Sequence, residues 1–489
     1  LAVAEQSLFL RRVRDFVTGP ALVCSPAASA TDIARLLSRH RVGSVVVCAL
    51  DGSPLGIVTD RDLRERVVAE GRDAAATGAA QIMSTPLARI RPTAFAFEAL
   101  LEMTRREIRH LAVLDGERLL GVVSMHDFVV AEAVHPVMLA REIARAGSLQ
   151  ALAALGARVA VLARRLVGEG GSAYDVGQLI SELNDRMVGR VLGLAAEALA
   201  ESGEEAPPVA YCWLGFGSEA RREQTLRTDQ DNGLVFADAP AAELEGAARY
   251  FLRFAEEAVR GLVRIGVPPC PGGIMASNPR WCQPLSTWRR YFHGWVTEPS
   301  PEQVLAASIH FDLRPLAGAG ELAASLWGLL EEEAPRHLGF LRLLASDAVE
   351  RRVPVTIFGN VATARRGPHR GAVDLKGGGT LQLVGAARVH ALELGCPETN
   401  TVDRFLAAQA RGLYSSAEGG EIIDATQHLM RLRLRHQLEQ DARGQAPDNF
   451  VVPAQLPHAD RVLLREALRT VGHVQGKLRE RFATDFAFR

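Results

Sequence analysis

The chain has no surplus of charge of either sign: 56 Lys and Arg face 57 Asp and Glu over 489 residues. No chain-wide field therefore draws it to nucleic acid or to an anionic membrane, and any phosphate it binds must be held locally. It also lacks an unbroken apolar run, since the apolar helical stretches are interrupted by arginine, as at Arg158, Arg164 and Arg165 within residues 149–167; no membrane span is expected. Its six cysteines, at 24, 48, 212, 270, 282 and 396, form neither a CxxC pair nor the even framework of a small secreted domain, and read as reduced thiols in a cytoplasm. No signal-peptide pattern opens the chain, and Leu rather than Met at position 1 reads as a trimmed portion of a longer product. The length exceeds what one core serves, so three or four domains are expected.

What is present centres on residues 211–236. An apolar run at 209–214 reads as a buried strand that stops at Gly215-Phe216-Gly217-Ser218. A polar helix from Ser218 to about Leu226 is expected next, its first-turn N–H groups free to hold a phosphate. A second strand is entered through Thr228-Asp229-Gln230-Asp231-Asn232. Side chains two apart on a strand share a face, so Asp229 and Asp231 would set two negative charges at one spot, an arrangement that calls for a cation. Gly215-x-Gly217-x-x-Ala220 meets the looser dinucleotide fingerprint, yet the helix after it lacks the apolar face that a crossover helix packs on a sheet. A calcium loop starting at Asp229 would place Gly233 at position five and Pro240 at position twelve, where a bidentate Glu belongs.

Residues 1–135 contain a duplication. Gly56-Ile57-Val58-Thr59-Asp60-Arg61-Asp62 matches Gly121-Val122-Val123-Ser124-Met125-His126-Asp127 at an offset of 65 residues, each after a short apolar strand and an Asp-Gly turn. The unit resembles the CBS domain, and the resemblance implies a tandem pair that binds adenine nucleotide between its copies. On that basis Thr59 and Ser124 would donate hydroxyls to phosphate, and Asp62 and Asp127 would accept from ribose. Read from the residues alone, Thr-x-x-Asp before a helix is equally an N-cap. A homodimer through the CBS pair is one arrangement that the resemblance allows.

The wording GSEARREQTLRTDQDN resembles the nucleotidyltransferase family that accompanies CBS domains, within the DNA polymerase beta superfamily and related to the protein-PII uridylyltransferases. That family's pattern, Gly-Ser-x-Gly-Arg-x-Glu-Gln then Thr-Asp-Gln-Asp-Asn, is met at Gly217, Ser218, Arg221, Glu223, Gln224 and 228–232, with Ala220 in place of the second Gly. The resemblance implies a transferase moving a nucleoside monophosphate from an NTP to a protein or small acceptor. Gly217 and Ser218 would meet the phosphates, Asp229 and Asp231 would hold Mg²⁺ or Mn²⁺, and Arg221 would pair with phosphate or else with Glu223.

The superfamily adds a third carboxylate from a later strand, but residues 266–276 contain no acid. Asp312, in Ile309-His310-Phe311-Asp312-Leu313-Arg314, is the next acid in an apolar setting, either the third catalytic acid or a partner of Arg314 or a neighbour that merely orders a helix. Without a third acid, a catalytically inactive nucleotide-sensing regulatory protein becomes the alternative. Trp281, Trp288 and Trp295 read as core. Beyond residue 320 the pattern is amphipathic helix with one strand-like piece at 353–358. The segment DLKGGGTLQLVGAARVHALELG resembles the substrate-binding domain that travels with the family, with Lys376 and Arg388 as phosphate or acceptor contacts or as surface charge; Arg431, Arg433 and Arg435 read as a solvated basic face. The expected architecture is multidomain α/β and α: a CBS pair at 1–135, a helical connector at 136–205, an α/β nucleotidyltransferase domain at 206–320 and a C-terminal helical domain at 321–489.

Overall fold

A computed structural model describes residues 12–484, apart from 18, 41, 126, 129–135, 226–228, 357 and 358. The chain divides into two compact units, Leu1–His135 and Pro136–Arg489.

In the first unit the duplication is folded twice. Strands β1 (Val23–Cys24), β2 (Ser44–Cys48) and β3 (Pro54–Thr59) form one sheet, β1 parallel and β3 antiparallel to β2. Strands β4 (Arg89–Ile90), β5 (His110–Asp115) and β6 (Arg118–Ser124) repeat it. The helix Ala30–His40 covers the first sheet by burying Ala30, Ile33 and Leu37 at helical spacing; Ala96, Ala99 and Met103 of Ala96–Arg105 do the same for the second. Each core borrows from outside its own copy. Ala79 and Ile82, which lead into the second repeat, complete the first core, and Val13 and Phe16, which precede the first repeat, complete the second. The glycine opening each signature makes this exchange fit: a Cβ at Gly56 would lie 2.9 Å from the Ser84 carbonyl oxygen, and one at Gly121 2.9 Å from that of Gly19. The copies are thus mutually dependent rather than two beads on a string.

The second unit is built on strands β7 (Tyr211–Phe216), β8 (Asn232–Phe236), β9 (Cys282–Pro284) and β10 (Leu313–Gly318), in the order β10-β7-β8-β9. β7 pairs antiparallel with both β8 and β10, and β8 runs parallel to β9. Residues 136–205 are helical as expected, and the long helix Ala173–Glu201, capped by Ser172, turns Leu183, Met187 and Val191 inward. One continuous hydrophobic core runs from Leu214 and Phe216 through Trp281, Trp288 and Trp295 to Leu468 and Phe482 of the last helix, His458–Phe482. The sheet and the C-terminal helices therefore share their interior. No strand forms among the described residues of 353–358: Val355 makes one bridge to Val361, and Ile357 and Phe358 lie outside the described residues. The strands found instead are the short pair β11 (Val373–Asp374) and β12 (Phe450–Val451).

Candidate active site

The site begins where β7 ends. Pairing of Gly215 with Asn232 brings the end of β7 beside the start of β8, the Phe216 N–H donates to the Asp231 carbonyl (2.8 Å) and the Gly217 N–H to that of Asp312 (3.1 Å). Gly217 takes φ +55°, and a Cβ there would come within 3.0 Å of the Ile309 side chain and 3.5 Å of Asp231 Oδ2. Only glycine suits this crossing. The helix expected to run to about Leu226 is a single turn, Gly217–Ala220. It stops because Arg222 adopts φ +56° and because the polar side chains after it point inward: Arg221, Glu223, Gln224 and Thr225 are all buried. Four residues are too short a dipole to hold an anion, so the expected phosphate-binding helix is not formed. Ser218 is half-buried at its start, and Thr228 lies outside the described residues.

Asp229 and Asp231 precede β8 rather than lying within it, Asp229 exposed and Asp231 half-buried. The acid-free loop of residues 267–276 runs alongside. Gln230 donates through its N–H to the Pro268 carbonyl (3.0 Å), Asn232 to that of Ile274 (3.1 Å), and the Ala276 N–H returns to Asn232 Oδ1 (2.8 Å). This brings the Cys270 thiol near the Asp231 carboxylate. Burial pushes Asp231 above its ordinary value; Cys270 offsets part of this, Asp229 adds to it, and Lys376 and Arg221 pull it back. Among the described residues no three His, Cys, Asp or Glu side chains gather as a metal-binding group.

Asp312 does not join the pair. Its side chain is fully buried and closed in by guanidiniums: Arg221 Nη1 to Oδ2 (2.5 Å), Arg388 Nε to Oδ1 (3.0 Å) and Nη2 to Oδ2 (2.6 Å), and Arg404 Nη1 to Oδ1 (2.5 Å). Burial alone would raise its pKa, yet Arg388, Arg404 and Arg221 hold it well below the usual carboxylate range. Both oxygens are committed, so the expected third catalytic acid is an ion-pair centre instead. Arg221 is likewise committed, its Nε on Glu223 Oε2 at 2.7 Å, which is the alternative left open for it. Beneath them His310, ringed by Trp281, Trp288, Trp295 and Phe216, is kept neutral, burial pushing its imidazole down to about 3.

The turn at residues 219–225 is gripped from three sides. From the C-terminal helices, Glu223 Oε1 accepts the Thr401 N–H (2.7 Å), Asn400 Nδ2 donates to the Arg221 carbonyl (2.9 Å) and Thr399 Oγ1 to that of Ala220 (3.0 Å). Arg314 on β10 donates to the Glu219 carbonyl (3.0 Å) and forms a two-pronged pair with Asp185 (2.7 and 2.9 Å) on the helix Ala173–Glu201. Asn184 of that helix donates to Gln224 (2.9 Å). Glu219 is sealed inside; burial, reinforced by Asp185, pushes its carboxyl up to about 8 despite Arg314. Sequence reasoning passed over Glu219, Asp185 and Arg404, and Arg388 proves a bolt rather than a surface charge. A signal existed: Arg404 occupies the 401, 404, 405, 408 stripe of its helix, and Arg388 the 384, 387, 388, 391 stripe, positions otherwise buried and mostly apolar. A cation on such a stripe announces a buried acid elsewhere.

Comparison with known proteins fits this layout. A family model described as "Putative nucleotidyltransferase DUF294" matches residues 157–302, one described as "Putative nucleotidyltransferase substrate binding domain" matches residues 339–482, and the CBS domain model matches at 13–69 and 79–133. The chain belongs to the family that joins a CBS pair to this transferase-type module. The first of those matches takes in much of the stretch read as a connector, in keeping with the grip of Asp185 and Asn184 on the turn. The CBS domain-containing protein YhcV of Bacillus subtilis is 33% identical over 118 residues, covering 24% of this chain and 83% of that one. The uncharacterized protein MK0525 of Methanopyrus kandleri is 35% identical over 120 residues, and the match spans 24% of this chain and only 59% of that relative's length. Among solved structures, the CBS domain protein PAE2072 of Pyrobaculum aerophilum, complexed with AMP, is 28% identical; the match covers 27% of this chain and 99% of that one, with a TM-score of 0.24. Among the described residues no helix is long and apolar enough to cross a membrane.

In the CBS pair the four residues expected at nucleotide cap helices. The Asp62 carboxylate accepts from the Thr59 N–H (2.8 Å) and hydroxyl (2.6 Å), and Asp127 accepts likewise from Ser124 (2.6 and 2.7 Å). Asp62 also takes the Ser84 hydroxyl (2.9 Å) and lies 3.5 Å from Arg66. A cavity of about 540 Å³ opens between the hairpin turns of the two copies, lined by Asp51 and Ser53 on one and Glu117 and Arg118 on the other; Thr59, Asp62, Ser124 and Asp127 are not part of its wall.

Proposed function

We propose that the chain is a metal-dependent nucleotidyltransferase, similar in chemistry to the protein-PII uridylyltransferases, that moves an NMP group from an NTP to a protein or small acceptor in the cytoplasm under control of an adenine nucleotide at the CBS pair. The observation that carries the reading is the Asp229–Asp231 pair held beside the Gly217 crossing. Magnesium is commonly held by one or two carboxylates plus the phosphates of the substrate, and this donor set fits: one carboxylate is open to solvent, and the other carries a pKa raised by burial and by its neighbour's charge. A bound Mg²⁺ or Mn²⁺ would neutralise phosphate charge and align the acceptor oxygen. Gly217, without a Cβ, and Ser218 let the phosphates approach the backbone. The acceptor oxygen attacks the α-phosphorus, the bond from that phosphorus to the α–β bridging oxygen breaks, pyrophosphate leaves with the electron pair, and the acceptor proton passes to water.

Asp312, Arg221, Arg388 and Arg404 hold the turn in this reading and do not touch nucleotide. Thr59, Asp62, Ser124 and Asp127 would exchange part of their capping bonds for the CBS ligand, and a homodimer through that pair belongs to the same reading. The six free cysteines support a reducing compartment. The test is label transfer from each NTP, with Mg²⁺ or Mn²⁺ and a cell extract as acceptor source, by the wild type and by Asp229→Asn/Asp231→Asn. No transfer, or equal transfer by both, would refute enzymatic function.

Capture of Asp312 by three arginines favours one rival, a regulatory protein that senses nucleotide without turnover. Tight ATP or AMP binding that survives loss of both aspartates, with no transfer, selects it.

A further inference from the structure

The C-terminal helical region brings a cation to Thr225, four residues before Asp229. β11 and β12 carry a bracket: the Leu375 N–H donates to the Asn449 carbonyl (3.0 Å), and Asn449 Oδ1 accepts from Arg433 Nε (2.6 Å). Arg433, read from sequence as part of a solvated face, turns inward and sets its Nη2 3.4 Å from Thr225 Oγ1, at the end of the turn that leads to Asp229. Next to Leu375, the tight glycine-rich turn Lys376–Thr380 is fixed by Asp374 Oδ1, which accepts the N–H groups of Lys376 (3.0 Å) and Gly377 (2.9 Å). The Lys376 side chain leaves this anchored backbone for solvent. The charges that act on it are Arg433, Asp229, Asp231 and Arg221; desolvation on its protein side lowers its pKa, Arg433 adds to that, and the two aspartates oppose it. Among the described residues, no hydrogen bond or ion pair holds the ammonium itself.

We infer that Lys376 is the polyphosphate contact of the site, facing Asp229 and Asp231 across the substrate, with Arg433 as the residue that positions its bracket. The inference rests on the transferase reading above and deepens it by naming the ligand chemistry, a metal-bound triphosphate rather than a monophosphate. Lysine suits this role because a compact charge on a flexible stem can follow the leaving pyrophosphate, whereas the arginines nearby are locked in place. A cation there binds the substrate's terminal phosphates and stabilises the charge that gathers on them as the α–β bond breaks. It also gives the C-terminal region a part in nucleotide binding, so the site is incomplete without it.

The test is calorimetric titration of the full chain with magnesium tripolyphosphate, which carries the phosphates but offers the CBS pair no base, and with orthophosphate as the short comparator. Lys376→Met is expected to weaken tripolyphosphate binding about tenfold or more while orthophosphate binding changes less than about twofold, and Lys376→Arg is expected to recover most of the loss. Unchanged tripolyphosphate binding in Lys376→Met, or an equal loss for both anions, overturns the inference. Label transfer by the same wild-type preparation reports separately on the reading beneath it: transfer with unaltered binding in Lys376→Met sinks the role of Lys376 alone, and absence of both transfer and tripolyphosphate binding sinks both.

Discussion

At Asp312 three guanidiniums close on one carboxylate, whereas at Asp229 and Asp231 two carboxylates stand near each other, with Lys376, a thiol and the more distant pull of Arg221 in attendance. The chemistry of the side chain is the same in all three, and its neighbours decide what it does. Asp312 is charged, dry and fully used, so it holds helices and sheet together. Asp231 sits where its charge is disfavoured and Asp229 where solvent can reach it. An acid stabilised by the fold has nothing left for a ligand; an acid strained by its neighbour gains from one.

The largest effect that would break this contrast is expected at Asp312. Asp312→Asn leaves three arginines buried around a neutral group, and removing one partner of a buried ion pair costs about 3–5 kcal/mol. Urea unfolding should show that loss, and a variant as stable as the wild type would mean that the cage contributes nothing. Because the folded pKa is depressed, the stability Asp312 supplies is present above the ordinary carboxylate value of about 4 and is lost as pH falls toward the lower folded value.

Asp229→Asn/Asp231→Asn should do the reverse, leaving stability within about 0.5 kcal/mol and reducing label transfer by about a hundredfold or more. A large fall in stability would put these acids in the same class as Asp312.

Glu219 sharpens the contrast as a buried acid short of cations. Its folded pKa of about 8 lies above its ordinary value of 4.5, so its contribution to stability is full below the unfolded value and is lost as pH rises through the folded one. Between those limits stability should fall by up to about 1.4 kcal/mol per pH unit. Glu219→Gln should flatten this slope and be the more stable protein at pH 8; identical slopes in urea titrations at pH 5 to 8 would show that the carboxyl ionises freely.

The smallest effect concerns the hydroxyls that share the caps with Asp62 and Asp127. Thr59→Ala and Ser124→Ala should each cost about 1 kcal/mol, read as similar shifts in thermal unfolding of the CBS pair. A marked inequality would mean that the two copies carry unequal loads.

Much was legible in the residues because it is local. The duplication, the apolar strands at 45–47 and 111–113, the strand ending before Gly217 and the strand into Phe236 follow from period-two patterning and glycine turns. The single-turn helix at Gly217–Ala220 was not legible as such: 218–226 has good helix formers, and what overrides them is the pull of Arg221, Glu223 and Gln224 toward partners distant in sequence at Asp312, Thr401 and Asn184. Propensity is worth tenths of a kcal/mol per residue, less than these buried pairs.

Taken alone, the sequence determined which residues stand together along the chain: Gly217 with Ser218, Asp229 with Asp231, Thr59 with Asp62. Spacing on one strand or turn is a short-range property that the backbone imposes. Only the tertiary structure decided what faces them, since Arg388, Arg404, Lys376 and Arg433 arrive from helices and turns distant in sequence, Arg433 meeting Thr225 across 208 residues. A charge becomes a bolt or a ligand contact according to its burial and partners, and these are set by how the C-terminal helices pack on the sheet.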